Sequence, residues 1–426
     1  MNTLEGTVVF LKSYVINGGK PLYGEVIING SKNAALPVLA AALLTENECR
    51  IHNVPDLLDI KNMCELLSCL GCMIDNHNGV YSIHCKNLQS DVMSYETVNK
   101  LRASFLVAGP LLARTGRVRI SLPGGCQIGA RPVDLHLKGF KAMGAEIEKG
   151  HGFVEAVCEK LKGADIYLDF PSVGATENLI MAASLAKGTT VIENAAAEPE
   201  IANLADFINS MGGDVTGAGT DTVRINGVEY LRGVNHTVIP DRIEAGTFAF
   251  AAAATHGSVV IKNVITDHLK PVIAKLEECG ISTEVNAERL IVNASKRAKA
   301  ADIKTMPYPG FPTDLQAPYV ALMSSAEGTS MVVETIFENR FLHVPELGRM
   351  GANIKIDGRT AVVEGKDRLT GAKVKATDLR AGAALVVAGL AAYGETVIED
   401  IHHIERGYSH FAQRLADLNA DLRVLQ

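Results

Sequence analysis

The feature that most constrains the fold of this chain is a pattern that returns six times along its 426 residues. Each copy has an alanine-rich helix, a polar or glycine-containing turn, and a short β-branched strand. The strands are CRIHNV (49–54), VRISLP (118–123), TVIENA (190–195), VVIKNV (259–264), MVVETI (331–336) and TVIEDI (396–401). Their third residues, at 51, 120, 192, 261, 333 and 398, lie 65 to 72 residues apart. This spacing predicts one supersecondary unit repeated six times.

A second marker has the same period. After each strand an amphipathic helix ends at a residue suited to the left-handed backbone conformation. The predicted caps are Gly71, Gly144, Gly212, Gly280, Gly351 and Asn419. Each unit is therefore interpreted as mixed strands with two helices. A solenoid is the alternative, but solenoid units are usually shorter, and two globular domains of three units each fit the length better.

The predicted domain boundary lies where the fourth unit opens, at Pro240-Asp241. One domain is expected to span residues 32–240, and the other to combine residues 1–31 with 241–426. A strand at Tyr23–Ile28 precedes the first unit, and the simplest closure adds this strand to the C-terminal half. The predicted fold class is thus α/β, with two domains of three repeats each.

Charge and hydropathy narrow the choice of partners. The net charge of −7 and the isoelectric point near 6.0 argue against a nucleic-acid binder. No apolar run is long enough to span a membrane, and the first fifteen residues lack the basic region and cleavage site of a signal peptide. We expect a cytoplasmic protein that acts on small molecules without nucleic-acid or membrane partners, as a monomer or weak homo-oligomer.

The eight cysteines are scattered along the chain. Disulfides are not expected in the cytoplasm. Cys64, Cys69 and Cys72 are spaced like metal ligands, but they lie in an amphipathic helix running into a strand, where cysteine behaves as a small hydrophobe. No motif for a metal or an organic cofactor is found, and none is expected.

One cysteine lies in a different setting, in the segment SLPGGCQIGARPVDLH (121–136). Its prolines and glycines predict a mobile loop between a strand at 117–122 and a helix that starts near Val133. The loop carries Cys126 and, five residues later, Arg131. Because nearby positive charge favours the thiolate and exposure gives access, this thiol is placed for chemistry. A surface loop with an incidental cysteine is the alternative.

The N-termini of the first helices carry cations. Lys32, Arg102 and Arg380 lie at helix starts, where free N–H groups and the helix dipole favour anions. Such cations are unfavourable for the helix itself, so their repetition indicates a bound anion. The alternative is that each long side chain extends into water.

Six segments carry a family resemblance. They are GSKNAALPVLAAALL (30–44), RASFLVAGPLLARTG (102–116), the 121–136 loop, YPGFPTDLQAP (308–318), ETIFENRFLHVPELGRMGA (334–352) and DLRAGAALVVAGL (378–390). Over essentially its whole length the chain resembles the UDP-N-acetylglucosamine 1-carboxyvinyltransferases, a family of enolpyruvyl transferases. The resemblance implies two inside-out α/β domains with the active site in the cleft between them. The 3-phosphoshikimate 1-carboxyvinyltransferases share the repeats but lack the cysteine loop.

The implied reaction transfers the enolpyruvyl group of phosphoenolpyruvate to the 3′-hydroxyl of UDP-N-acetylglucosamine and releases phosphate. It is the first committed step toward peptidoglycan and proceeds by addition and elimination through a tetrahedral ketal. The reaction needs an acid for the vinyl CH₂, a group that faces the sugar hydroxyl, and cations for phosphate and carboxylate.

The resemblance implies residue roles as well. Cys126 is the acid and can form a covalent adduct at C2 of phosphoenolpyruvate. Asp314 faces the 3′-hydroxyl, either orienting or deprotonating it, and a helix cap at Thr313-Asp314 is compatible with both. Phosphate binding falls to Lys32, which is also catalytic, with Arg131 and Arg406; carboxylate binding falls to Arg340 and Arg380, and Asn33 accompanies Lys32. The implied nucleotide-sugar ligands are Arg102, Arg131, Pro132, Val133, Asp134, Leu135, Ser172, Val173, Gly174, Asp314, Ile336 and Phe337.

One position departs from the family. Some members carry a lysine two residues before the serine of the SVG turn, where this chain has Phe170. Arg131 or backbone N–H groups are then left to contact the diphosphate. Two other functions are considered: the shikimate-pathway reaction, which the cysteine loop argues against, and a silent sensor of nucleotide sugars. The complete catalytic set argues against the sensor.

Overall fold

The computed structural model describes residues 12–89, 92–93, 102–121 and 133–425, with the backbone alone at Arg102. The described helices are α1 (Lys32–Ala41), α2 (Leu58–Cys69), α3 (Ala108–Thr115), α4 (Asp134–Ala142), α5 (Val173–Ala183), α6 (Pro199–Ser210), α7 (Arg242–Ala254), α8 (Lys270–Glu278), α9 (Gln316–Met323), α10 (Val344–Arg349), α11 (Leu379–Ala391), α12 (His402–Glu405) and α13 (Phe411–Asp417). Short 3₁₀ segments lie at Ala42–Leu44, Arg102–Val107, Thr266–Leu269 and Thr313–Leu315.

The described strands are short. They are β1 (Ser13–Asn17), β2 (Tyr23–Ile27), β3 (Cys49–His52), β4 (Met73–His77), β5 (Val80–His84), β6 (Val92–Met93), β7 (Arg117–Ser121), β8 (Glu146–Lys149), β9 (Phe153–Val157), β10 (Asp165–Tyr167), β11 (Thr189–Glu193), β12 (Asp214–Thr216), β13 (Thr222–Asn226), β14 (Asn235–Thr237), β15 (Ser258–Lys262), β16 (Ser282–Asn286), β17 (Arg289–Asn293), β18 (Ile303–Lys304), β19 (Thr329–Val333), β20 (Asn353–Asp357), β21 (Thr360–Glu364), β22 (Lys373–Lys375), β23 (Glu395–Glu399) and β24 (Asp421–Leu425).

In the described residues these strands form six four-stranded sheets of one design. The strand orders are β14-β3-β5-β4, β6-β7-β9-β8, β10-β11-β13-β12, β2-β15-β17-β16, β18-β19-β21-β20 and β22-β23-β1-β24. In every sheet the first two strands are parallel and the remaining pairs are antiparallel. The prediction of six repeated units is confirmed.

The N-terminal segment completes two sheets of the C-terminal half. Strand β2 pairs in parallel with β15, with Val26 opposite Ile261, which confirms the predicted closure. Strand β1 was not predicted, and it lies between β23 and β24, with Tyr14 opposite both Ile398 and Val424. In the same way β14 joins β3 across a long stretch of sequence.

The chain divides into two compact units, each with its own apolar core. Unit 1 contains the described residues of Met1–Ile28, Ile243–Met306 and Phe311–Gln426; unit 2 contains those of Asn29–Arg242 and Pro307–Gly310. In each unit the alanine-rich helices are buried on nearly all sides, as in α7 and α11, because a helix that is apolar all round must be covered. The sheets present exposed side chains such as Ile27 and Tyr167.

No helix in the described part of the chain combines the length and apolar character that crossing a membrane requires.

The predicted helix caps are confirmed. Their backbone φ angles run from 75° at Asn419 to 102° at Gly71, the left-handed region that favours glycine and asparagine. One register needs correction. In the fifth strand the buried position equivalent to Ile192 is Val332 rather than Val333, because the strand starts at Thr329 just as β11 starts at Thr189.

The expectation of no disulfides is wrong. Cys72 and Cys85 are bonded, with their Cα atoms 4.2 Å apart. The physical reason lies in the register of the β4–β5 hairpin. Met73 pairs with His84, so Cys72, just before Met73, faces Cys85, just after His84. Helix α2 ends at Cys69, which leaves Cys72 beyond the left-handed Gly71 and in line with the hairpin.

Candidate active site

The centre of the candidate site in unit 1 is Asp314, in the 3₁₀ turn ahead of α9. Its Oδ1 accepts a hydrogen bond from Arg340 Nη2 at 2.6 Å, and its Oδ2 accepts one from Arg380 Nη2 at 2.8 Å. The two arginines are about 5 % exposed, whereas the Asp314 side chain is 26 % exposed. The predicted helix cap at Thr313-Asp314 is wrong, since the residue before the turn is Pro312 and Asp314 lies inside it.

Arg380 is held from three directions. It lies in the first turn of α11, whose N-cap Asp378 accepts hydrogen bonds from the backbone N–H groups of Arg380 and Ala381. Its Nη1 donates to the Tyr408 hydroxyl at 3.1 Å, and that hydroxyl bonds Thr247 Oγ1 at 2.9 Å. A buried guanidinium at a helix N-terminus is costly, and the Asp378 cap and Asp314 offset this cost.

Arg406 directly follows α12, half-buried, in the same segment as Tyr408. His403 lies close to this charge. Burial lowers the pKa of His403, and the charges of His402 and Arg406 lower it further. Arg406 is the C-cap of α12 and carries a positive charge at the end of this helix.

Ile336 and Phe337 follow β19 in a tight turn of unit 1. Their backbone N–H groups both donate to Glu334 Oε1, at 2.8 and 3.1 Å. The Phe337 ring lies 5.3 Å from the Arg340 guanidinium, in cation–π range. Unit 1 thus brings Asp314, Arg340 and Phe337 together.

In unit 2, Lys32 is the first residue of α1, whose N-cap Ser31 accepts from Ala34 N. Lys32 Nζ lies 3.1 Å from Asp59 Oδ2, and both side chains are largely buried. The next residue, Asn33, is half-buried. A lysine so placed contributes its charge at the positive end of a helix dipole, where an added anion would be attracted.

Ser172, Val173 and Gly174 lie at the start of α5, with Ser172 as its N-cap. Ser172 Oγ caps the helix by accepting from Ala175 N at 3.4 Å. A Cβ on Gly174 would lie 3.5 Å from the His136 ring. Burial lowers the pKa of His136 to about 4, so the ring is neutral at pH 7; its Nδ1 lies 3.0 Å from the Asn178 amide nitrogen.

The remaining predicted residues of unit 2 divide in two groups. Val133 is the N-cap of α4, exposed Asp134 pairs with Lys149 at 2.8 Å, and Leu135 packs against the core. Cys126, Arg131 and Pro132 lie outside the described residues, as does the side chain of Arg102. Their roles stay predictions.

Phe170, at the position that departs from the family, is 45 % exposed. Its carbonyl accepts a hydrogen bond from Ser172 N at 2.7 Å, so the residue forms part of the turn that leads into α5. The neighbouring Asp169 pairs with Lys138 at 2.8 Å.

Three residues of this neighbourhood were missed from the sequence: Asp59, Glu334 and Tyr408. Asp59 and Tyr408 gave no local signal, because each contacts an arginine or lysine far away in the chain. Glu334 could have been found. It directly follows its strand, at the position where Asn53, Asn194, Asn263 and Asp400 follow theirs.

The chain matches the family model described as EPSP synthase (3-phosphoshikimate 1-carboxyvinyltransferase) over residues 16–415. It is 59 % identical to UDP-N-acetylglucosamine 1-carboxyvinyltransferase 2 of Carboxydothermus hydrogenoformans, over 97 % of this chain and 99 % of the relative. Identity to UDP-N-acetylglucosamine 1-carboxyvinyltransferase 1 of Caldanaerobacter subterraneus is 57 %, over 96 % and 98 % of the two chains.

Two solved structures show the fold. The enolpyruvyl transferase NikO from Streptomyces tendae superposes with a TM-score of 0.88 at 24 % identity, covering 97 % of this chain and 99 % of its own. EPSP synthase from Acinetobacter baumannii gives a TM-score of 0.75 at 20 % identity, covering 98 % and 100 %. The chain therefore belongs to the enolpyruvyl transferase family described by the EPSP synthase model, and within it to the UDP-N-acetylglucosamine 1-carboxyvinyltransferases.

Proposed function

We propose that this chain transfers the enolpyruvyl group of phosphoenolpyruvate to the 3′-hydroxyl of UDP-N-acetylglucosamine, releases phosphate, and acts in the cytoplasm. The observation that carries the proposal is the Asp314 carboxylate held between the Arg340 and Arg380 guanidinium groups. A pair of buried guanidinium groups already arranged around one carboxylate is suited to bind another, because the planar fork of arginine matches two oxygens. Relatives of 57 to 59 % identity are named for this reaction.

Phosphoenolpyruvate carries a carboxylate and a phosphate, and the proposed ligands match both. Arg340 and Arg380 take the carboxylate, while Arg406, Lys32 and Arg131 take the phosphate. Fixed cations also stabilise the charge that develops as phosphate leaves, without reorganisation at the moment of reaction.

Asp314 and the substrate carboxylate compete for the same guanidinium groups. When phosphoenolpyruvate binds, its carboxylate displaces Asp314 from at least one arginine. The freed Asp314 oxygen then accepts the hydrogen bond of the 3′-hydroxyl and orients it toward C2. Cys126 protonates the vinyl CH₂ to a methyl group and generates the electrophilic C2, which the 3′-oxygen attacks as Asp314 takes up the hydroxyl proton. The tetrahedral ketal then loses phosphate from C2 and a proton from its methyl group, which restores the vinyl CH₂ and completes the transfer.

The direct test is phosphate release on mixing the chain with both substrates. We expect release with phosphoenolpyruvate and UDP-N-acetylglucosamine together, and only background when either is omitted. Shikimate 3-phosphate as the acceptor should give background. Release that requires shikimate 3-phosphate, or none with any acceptor, would contradict the proposal.

Asp59→Asn is expected to raise KM for phosphoenolpyruvate by about tenfold. The substitution keeps the shape of the side chain but removes the charge that holds Lys32 Nζ at 3.1 Å. Steady-state kinetics with varied phosphoenolpyruvate measure the effect.

Asp56→Asn is the matched control, since Asp56 lies just before α2 and pairs with Lys61 of α2 at 2.7 Å, but both side chains are more than half exposed. Exposed pairs contribute little, so this variant should keep the wild-type KM. Equal behaviour of the two variants would show that Asp59 does not position Lys32.

A further inference from the structure

The residue that directly follows the second strand of the sheet has the same backbone conformation in four repeats, after β3, β11, β15 and β23. Asn53, Asn194, Asn263 and Asp400 all have φ between 54° and 58°. The three asparagine side chains donate to a carbonyl at the end of the parallel neighbour strand: Val238, Leu168 and Ile28, respectively. We call this residue the corner residue of the repeat, because its side chain ties the end of its own strand to the end of the parallel neighbour.

The fifth repeat departs from this pattern at Glu334. The residue directly follows β19 and is 1 % exposed, and its φ is not among the positive values. Thr335 takes over the corner contact, donating from Oγ1 to the Thr305 carbonyl at 2.6 Å. The Glu334 side chain therefore does not make the contact that the equivalent asparagines make.

The Glu334 carboxylate accepts four hydrogen bonds from three separate segments. Oε1 accepts from Thr305 Oγ1 at 2.9 Å and from the N–H groups of Ile336 and Phe337. Oε2 accepts from Thr313 Oγ1 at 2.9 Å. Thr313 directly precedes Asp314 in the same 3₁₀ turn. An ionised carboxylate is an acceptor on both oxygens and suits a site where only donors converge.

We propose that Glu334 is a positioning residue that couples the nucleotide-sugar turn at Ile336-Phe337 to the carboxylate of Asp314. This inference rests on the proposed function. Glu334 is 1 % exposed and acts through the two turns: it fixes the distance between the turn assigned to the nucleotide sugar and the turn that carries Asp314. Misplacement of either by about 1 Å is enough to cost on the order of 10²-fold in rate.

The test compares Glu334→Ala and Glu334→Gln. Alanine removes all four acceptor contacts, and we expect kcat/KM for UDP-N-acetylglucosamine to fall on the order of 10²-fold, through both a higher KM and a lower kcat. KM for phosphoenolpyruvate should change by no more than about twofold. Glutamine keeps the acceptor oxygen for the two N–H groups, and its amide can donate to Thr313 Oγ1, so this variant should recover most of the loss.

Asn263→Ala is the matched control. It removes the corner residue of another repeat in the same unit, with the loss of the bond to the Ile28 carbonyl, and should lower Tm without altering either KM. A Glu334→Ala variant with the kinetics of Asn263→Ala would overturn the inference. A Glu334→Gln variant as impaired as Glu334→Ala would do the same.

The two proposals fail in different ways. If the wild-type chain neither binds UDP-N-acetylglucosamine in calorimetry nor releases phosphate, the proposed function is contradicted. If the wild-type chain turns over and Glu334→Ala does so equally well, the positioning role alone is contradicted.

Discussion

Asp314→Asn is expected to lower kcat on the order of 10³-fold while the variant stays folded. The amide is nearly the same shape, but it cannot accept the hydroxyl proton and is a weak partner for two guanidinium groups. Breaking a fully buried ion pair typically costs about 3–5 kcal/mol of stability, and we expect a smaller loss here. The Asp314 side chain is 26 % exposed, and Arg380 retains its hydrogen bond to the Tyr408 hydroxyl. Turnover by phosphate release and thermal unfolding measure the two effects.

Asp367→Asn provides the control for Asp314→Asn. Asp367 also pairs with an arginine of unit 1, Arg297, but its side chain is 93 % exposed. We expect wild-type kcat and an unchanged Tm from this variant, because exposed pairs contribute little. A kcat for Asp314→Asn within about tenfold of wild type would mean that another group acts on the sugar hydroxyl.

Cys126→Ser is the second substitution with a large expected effect, a loss of turnover on the order of 10³-fold. A hydroxyl is a far weaker acid than a thiol, so protonation of the vinyl CH₂ loses its donor. Binding of UDP-N-acetylglucosamine should be nearly unchanged. Calorimetry with the nucleotide sugar and phosphate release under saturating substrates separate binding from turnover.

Cys69→Ser is the matched control, because Cys69 is a free and exposed cysteine of unit 2 and lies at the end of α2. It should retain full turnover. Cys126→Asp should keep an acid but lose the covalent adduct, so an epoxide phosphonate that mimics phosphoenolpyruvate should inactivate wild type and spare this variant. Inactivation of Cys126→Asp, or full turnover by Cys126→Ser, would contradict the assigned role.

The parts of the fold predicted from sequence are those with local causes. Alanine-rich helices, β-branched strands and left-handed caps such as Gly71 and Asn419 depend on neighbours within a few residues, and the sixfold repetition amplified each signal. The sequence also predicted that the early strand at Tyr23–Ile28 joins the C-terminal half; its partner there is β15, with which β2 pairs in parallel.

The parts that were missed have nonlocal causes. Strand β1 forms only because β23 and β24 leave a gap between them nearly 400 residues later. The Cys72–Cys85 bond depends on hairpin register, which a one-residue shift would change. In the same way, the ion pairs of Asp314 with Arg340 and Arg380 join three segments of the chain, and no spacing rule predicts their contact.

Glu334 lies between these cases. Its burial and its hydrogen-bond donors depend on distant segments. The substitution of glutamate for the asparagine or aspartate of the other repeats, however, can be seen in the sequence when Val332 is aligned with Ile192. A register error of one residue hid it.

The most direct measurement of the central claim is the product formed in deuterated water from phosphoenolpyruvate and UDP-N-acetylglucosamine. Addition and elimination pass through a methyl group, so NMR should show an enolpyruvyl ether at the 3′-oxygen with solvent deuterium in its vinyl CH₂. A product without deuterium, or no ether at that oxygen, would contradict the account.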